Sequence, residues 1–251
     1  MGTAVVHAAK LPRFVIIYPM STDKKLPTNR NDVNAFLQKV ASTPLVKATG
    51  ARGRLLFAMD ATASREPMWD HACHIQGEMF KQTSNLGGLD VQLCYYRGFA
   101  EFYASDWFND AEALLQQMSA VHCLGGHTQI EKVLKHAIKQ ARQKKLNALV
   151  FVGDCMEENV DTLCQLAGEL SLLGVPVFLF HEGKDATAEK AFLQIAQLSN
   201  GAYCPFDASS AQQLQELLSA VAVFAAGGKA ALTDFSKHAG TMVKQLTRQL
   251  K

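Results

Sequence analysis

The sequence predicts an α/β fold: a doubly wound, Rossmann-like, mainly parallel sheet with helices on both faces and one antiparallel edge strand. Three observations predict it. Continuous apolar runs recur at 55–59, 148–152 and 175–180, as in strands buried on both faces. Stretches with helical spacing of apolar residues separate them, the pattern of parallel strands joined by crossover helices. Asp60 and Asp154 follow two of the runs, which places polar chemistry at the carboxyl ends of the strands, where such sheets open a crevice.

Taken in order, residues 1–53 read as an N-terminal arm. It holds a β-prone run Phe14–Tyr18 and a short docking helix in which Val33, Phe36, Leu37 and Val40 share a face. A linker with Pro44, Gly50 and Gly53 follows. The domain proper is expected over 54–226. It opens with strand Leu55–Met59, then a helix with Met68, Ala72, Ile75 and Met79 on one face. Strands 91–96 and 99–103 flank a tight turn at Arg97-Gly98. A helix is expected from Asp106 to Val121, a glycine turn at Gly125-Gly126, and a helix from Thr128 to Gln143. Strand 148–152, helix 159–173, strand 175–180, helix 187–198, a short strand at 202–204 and a helix 209–224 complete it. Residues 227–251 read as one C-terminal amphipathic helix through Leu232, Phe235, Met242, Val243, Leu246 and Leu250, docking on the body.

The 251 residues are 48% hydrophobic and 19% charged, enough for one sizeable core, and wholly disordered or collagen-like chains are excluded. The net charge of +2 excludes wrapping of nucleic acid by the chain as a whole. That average hides a partition: +7 over 1–54, −9 over 55–226 and +4 over 227–251. Apolar runs fall short of the ~20 residues that cross a bilayer, and Phe14–Tyr18 is too short for a signal-peptide core. A soluble, cytoplasmic protein is expected. Six cysteines without a C-x-x-C pair point to reduced thiols, and His71, Cys73 and His74 lack a second ligand pair for a zinc site.

Three strand ends or turns present oxygen ligands: Asp60-Ala61-Thr62-Ala63-Ser64, Thr128 after Gly125-Gly126-His127, and Asp154. Three hydroxyls and two carboxylates suit a hard cation such as Mg²⁺, which takes oxygen donors in octahedral array. D-x-[ST]-x-S with a distant Thr and Asp is the pattern of the metal-ion-dependent adhesion site. Over about 54–225 the sequence resembles von Willebrand factor type A (VWA) domains, of a cytosolic bacterial kind. The departure is Thr62 where Ser is more usual, and it keeps the hydroxyl. The resemblance implies that Thr62, Ser64 and Thr128 hold Mg²⁺ or Mn²⁺, with Asp60 and Asp154 acting directly or through water. It also implies that an Asp or Glu of a partner protein completes the shell. Neutral hydroxyl ligands leave the cation much of its charge, which is why it would want one more anionic oxygen.

His127, Glu157 and Glu158 are the candidate partner-binding rim. An ATPase or a multi-protein assembly is the partner class by family analogy, with no nucleic acid and no membrane. The expected function is non-enzymatic, metal-dependent protein binding. The alternative is a haloacid-dehalogenase-like phosphohydrolase with Asp60 as nucleophile. It is weakened because Thr62 stands where the general acid should be. A nucleotide site is disfavoured because the first strand–helix turn is not glycine-rich.

Overall fold

A computed structural model describes residues 52–206 and 211–250. The strand and helix expected within the N-terminal arm lie outside the described residues. The first strand, β1 (Gly53–Asp60), is buried at every position and sits at the centre of a six-stranded sheet. The helices α1 (Glu66–Ile75) and α2 (Gly77–Thr83) lead to the hairpin β2 (Leu89–Arg97) and β3 (Glu101–Phe108). Then come α3 (Ala111–Ser119), α4 (Ile130–Gln143), β4 (Ala148–Gly153), α5 (Val160–Leu172), β5 (Val177–Glu182) and α6 (Ala186–Leu198). Strand β6 (Ala202–Phe206) and the helices α7 (Ala211–His238) and α8 (Thr241–Gln249) finish the chain.

The strand order is β3-β2-β1-β4-β5-β6, with every pairing parallel except β2 with β3. This is the doubly wound arrangement with an antiparallel edge. Alternation along the strands feeds two cores. Leu55, Phe57, Met59, Val150 and Phe178 face α1, α2, α3, α7 and α8. Leu56, Ala58, Leu149, Phe151 and Leu179 face α4, α5 and α6. The order reverses at β1, between β2 and β4, so the carboxyl ends of β1 and β4 border the crevice that such sheets use for ligands.

Three expectations need correction. The helix expected from Asp106 begins at Ala111, because β3 runs on to Phe108 as an edge strand of alternating exposure. A bulge near Cys94 sustains that longer pairing, with the Ser105 hydroxyl accepting from Leu93 N–H at 3.0 Å. The helix cap is Asp110, whose carboxylate accepts from Ala113 N–H at 2.9 Å. The helix expected to run on to Met79 is interrupted at Gln76, which separates α1 from α2, while Ala72 and Met79 enter the same core.

The C-terminal stretch is also not one helix. It kinks at Gly228, whose φ of 72° lies in the left-handed region, and restarts after Gly240. Leu232, Val243 and Leu246 are fully buried in the core on the α7 side. The Gln249 amide bonds both the N–H and the C=O of Tyr203, each at 2.9 Å, and so satisfies part of the β6 edge. Among the described residues α7 is the helix long and apolar enough to cross a membrane; here half of that window is buried. Its close approach to β1 requires Gly53, where a Cβ would lie 2.4 Å from the Ala225 carbonyl oxygen.

Candidate metal centre

Strand β1 ends on Asp60, which is fully buried. One carboxylate oxygen accepts the Thr62 N–H at 2.7 Å and the other the Tyr96 hydroxyl at 3.1 Å, Tyr96 being the register partner of Asp60 on β2. Burial raises the Asp60 carboxyl above its usual range. The Thr62 bonds oppose that shift, Asp154 adds to it, and Arg65 opposes it. Thr62 is extended and leads into a 3-10 turn, Ala63–Arg65, which brings the Thr62 and Ser64 hydroxyls to 3.5 Å. The Ser64 hydroxyl donates to Asp154 Oδ2 at 3.1 Å across the gap to β4.

Thr128 arrives from the loop before α4. Its N–H donates to Glu157 Oε2 at 3.1 Å and its hydroxyl accepts from Glu157 N–H at 3.0 Å, so the two loops lock together. The five sequence-predicted ligands are thus carried by neighbouring segments. Thr62, Ser64 and Thr128 line one open cleft of about 230 Å³ with Ala63, Gly125, Gly126, Cys155 and Glu157. Asp60, Asp154 and Cys155 have ligand atoms within 4.8 Å of one another.

The donor set fits a divalent cation. The Asp60 and Asp154 carboxylates lie within 4.8 Å of each other, the Thr62 and Ser64 hydroxyls adjoin Asp154 through Ser64, and Asp154 Oδ1 is buried without a hydrogen-bond partner among the described residues. A buried carboxylate oxygen is costly to leave unpaired, and a cation would satisfy it.

The rim residues divide. His127 is exposed, with Nδ1 3.2 Å from Glu157 Oε2. Glu158 turns away from the rim. Its oxygens accept the Ile130 N–H at 2.6 Å and the Glu131 N–H at 2.8 Å, which caps α4 from another segment of chain. Burial raises its carboxyl, against those bonds.

Sequence reasoning missed other neighbours of the site. Phe99, 79% exposed at the hairpin turn, lies edge-on to His127 with ring centroids 5.3 Å apart. His127 N–H donates to Gly98 O at 3.2 Å, and Gln129 Nε2 bonds the same oxygen at 3.3 Å, so the hairpin tip is latched to the Thr128 loop. Arg65 is fully buried, pairs with Glu182 at the end of β5, and places Nη1 3.9 Å from Asp154 Oδ2. His181 bridges the Asp154 carbonyl oxygen, 3.2 Å from Nε2, and the Tyr203 hydroxyl, 2.9 Å from Nδ1. A signal for Arg65 existed in its position beside Ser64, but its burial depends on β5, which no local pattern reveals. A larger hollow of about 920 Å³ at the ends of β5 and β6 is lined by His181, Glu182 and Tyr203 but by none of the five oxygen ligands.

No protein-family model matches the chain, and no curated protein matches it in sequence. Solved structures do match. A von Willebrand factor type A protein from Catenulispora acidiphila superposes with a TM-score of 0.55 at 14% identity, over 68% of this chain and 43% of that one. The SpRpn10 VWA domain gives 0.51 at 16% identity, over 68% of this chain and 95% of that domain. Proximal thread matrix protein 1 from the mussel byssus, in a form with a zinc-occupied MIDAS motif, gives 0.54 at 12% identity, over 68% and 46%. The chain therefore spans less than half of the Catenulispora and mussel proteins and nearly all of the isolated domain. These likenesses establish the VWA fold.

Proposed function

We propose that this chain is a non-enzymatic, metal-dependent protein-interaction module with a complete adhesion-type site. Mg²⁺ or Mn²⁺ would sit among Thr62, Ser64 and Thr128, with Asp60 and Asp154 holding it directly or through water. An acidic side chain of a partner protein would supply the remaining oxygen. The observation that carries the reading is the unpaired buried oxygen of Asp154, a residue whose carboxylate lies beside that of Asp60 and the Cys155 thiol and accepts from the Ser64 hydroxyl. The zinc-occupied MIDAS of the mussel protein supports a metal in a site of this kind.

The partner surface includes His127 and Glu157, with Phe99 beside them. Its class, an ATPase or a member of a multi-protein assembly, and a bacterial cytoplasmic setting without nucleic acid or membrane belong to the same proposal. The phosphohydrolase alternative is not favoured. Asp60 as nucleophile would need an accessible oxygen, yet it is fully buried with both oxygens already bonded, and Thr62 offers no acid.

The test is affinity purification of the full chain and of Ser64→Ala, each in Mg²⁺ and in EDTA, with bound proteins identified by mass spectrometry. The expected outcome is a partner held by wild type in Mg²⁺ and lost in the other three conditions. A partner held equally in EDTA would overturn the reading.

A further inference from the structure

Arg65 is among the largest fully buried side chains of the described residues, and its Nη1 lies 3.9 Å from Oδ2 of the candidate ligand Asp154. Its guanidinium lies between two carboxylates on neighbouring strands: Glu182 on β5, with which it makes the closer pair, and Asp154 at the end of β4. Its Nε and Nη2 have no hydrogen-bond partner among the described residues. A buried guanidinium left partly unsatisfied is a poor device for stability, because desolvation consumes most of the Coulombic gain. Its position gives it another use. Asp60 and Asp154 place two negative charges at the candidate cation site, and Arg65 is the positive charge closest to Asp154 among the described ion pairs.

We propose that Arg65, anchored by Glu182, is a positioning residue that sets the strength of the metal centre: it holds Asp154 ready before the cation arrives and offsets part of the negative field that would bind it. This rests on the metal reading above. The consequence is a site that is assembled without metal but binds it weakly enough to exchange.

The sign of each charge change follows. Removing Arg65 leaves the carboxylates uncompensated, so a divalent cation binds more tightly. Removing the Glu182 charge frees the guanidinium to close on Asp154, where it competes with the cation and weakens binding. A residue with only a structural role would weaken the site whichever partner is changed.

The experiment is a titration of the full chain with Mn²⁺ alone, followed by isothermal calorimetry and by the electron paramagnetic resonance signal of free Mn²⁺. For Arg65→Met the Kd should fall by about tenfold, and for Glu182→Gln it should rise by about tenfold. Arg65→Lys, which keeps the charge, should stay within about threefold of wild type. Because Arg65→Met leaves Glu182 buried alone, Arg65→Met/Glu182→Gln removes both charges, and it should bind at least as tightly as wild type.

Weaker or unchanged binding by Arg65→Met overturns the inference, as does a double variant weaker than wild type. Wild type that fails to bind Mn²⁺, or that binds it as well after Ser64→Ala, overturns the metal reading together with the inference. Binding lost in Ser64→Ala without the opposed shifts overturns the inference alone.

Discussion

At Asp60, burial and hydrogen bonding act against each other on one carboxylate. Burial raises its carboxyl, and the Thr62 N–H and Tyr96 hydroxyl hold the oxygens in place. A divalent cation would reverse the burial effect by favouring the charged form. The grouping of the five candidate oxygen ligands was legible in the sequence because their order and spacing place them after β1, before α4 and after β4. Arg65 and Glu182 were not, because their pairing joins the turn after β1 to the end of β5 and exists only once the sheet forms. His136 shows burial acting on a cation. It packs 5.5 Å from the Phe102 ring, lies 2.9 Å from Gln92 Oε1, and burial lowers its pKa from 6.5, with Lys139 adding to the shift. As pH falls, the unfolded chain takes up this proton before the folded one. The stabilisation is therefore complete above 6.5 and is lost as pH falls through the lowered folded value. Urea unfolding from about pH 8 to pH 5 should show that slope in wild type, and His136→Gln should lack its share of it.

Among the elements, the loop before α4 depends on its neighbours. Glu158 caps the helix from the segment after β4, and the β2–β3 hairpin tip lies against the same loop. Gly126 makes that contact possible, since a Cβ there would stand 1.9 Å from Gly98 O. Gly126→Ala should push the loop off the hairpin and carry Thr128 with it. A loss of about 1–3 kcal/mol in urea unfolding, as for overpacking, is expected together with weaker Mn²⁺ binding. Unchanged values for both would show that the latch does not position the site. Strands β1, β4 and β5 were legible because they are continuous apolar runs that only a sheet covered on both faces can bury. The β3–α3 boundary was not. An edge strand exposes alternate residues, so 104–108 lacks the continuous apolar run that marks the central strands, and the pairing with β2 that extends β3 to Phe108 depends on a bulge.

At the scale of the molecule, the basic C-terminal end was expected to dock on the acidic body by its apolar stripe, and the contact is apolar. Leu232, Val243 and Leu246 enter the core, while the ion pair Lys237–Asp234 is local to the segment. Leu246→Ala should cost about 2–5 kcal/mol in urea unfolding and leave Mn²⁺ affinity unchanged, because the tail packs on the sheet face and lines none of the metal cleft. The doubly wound order was legible from alternating strands and helices, and the order in turn places β1 and β4 side by side, which is what brings Asp60 and Asp154 together. These strand ends and the Thr128 loop are proposed to hold one divalent cation. The most direct measurement is anomalous diffraction at a manganese-sensitive wavelength from crystals of the full chain grown in Mn²⁺. A single strong peak is expected among the oxygens of Thr62, Ser64, Thr128, Asp60 and Asp154. A clear map with no peak there, or with the ion bound elsewhere, would contradict it.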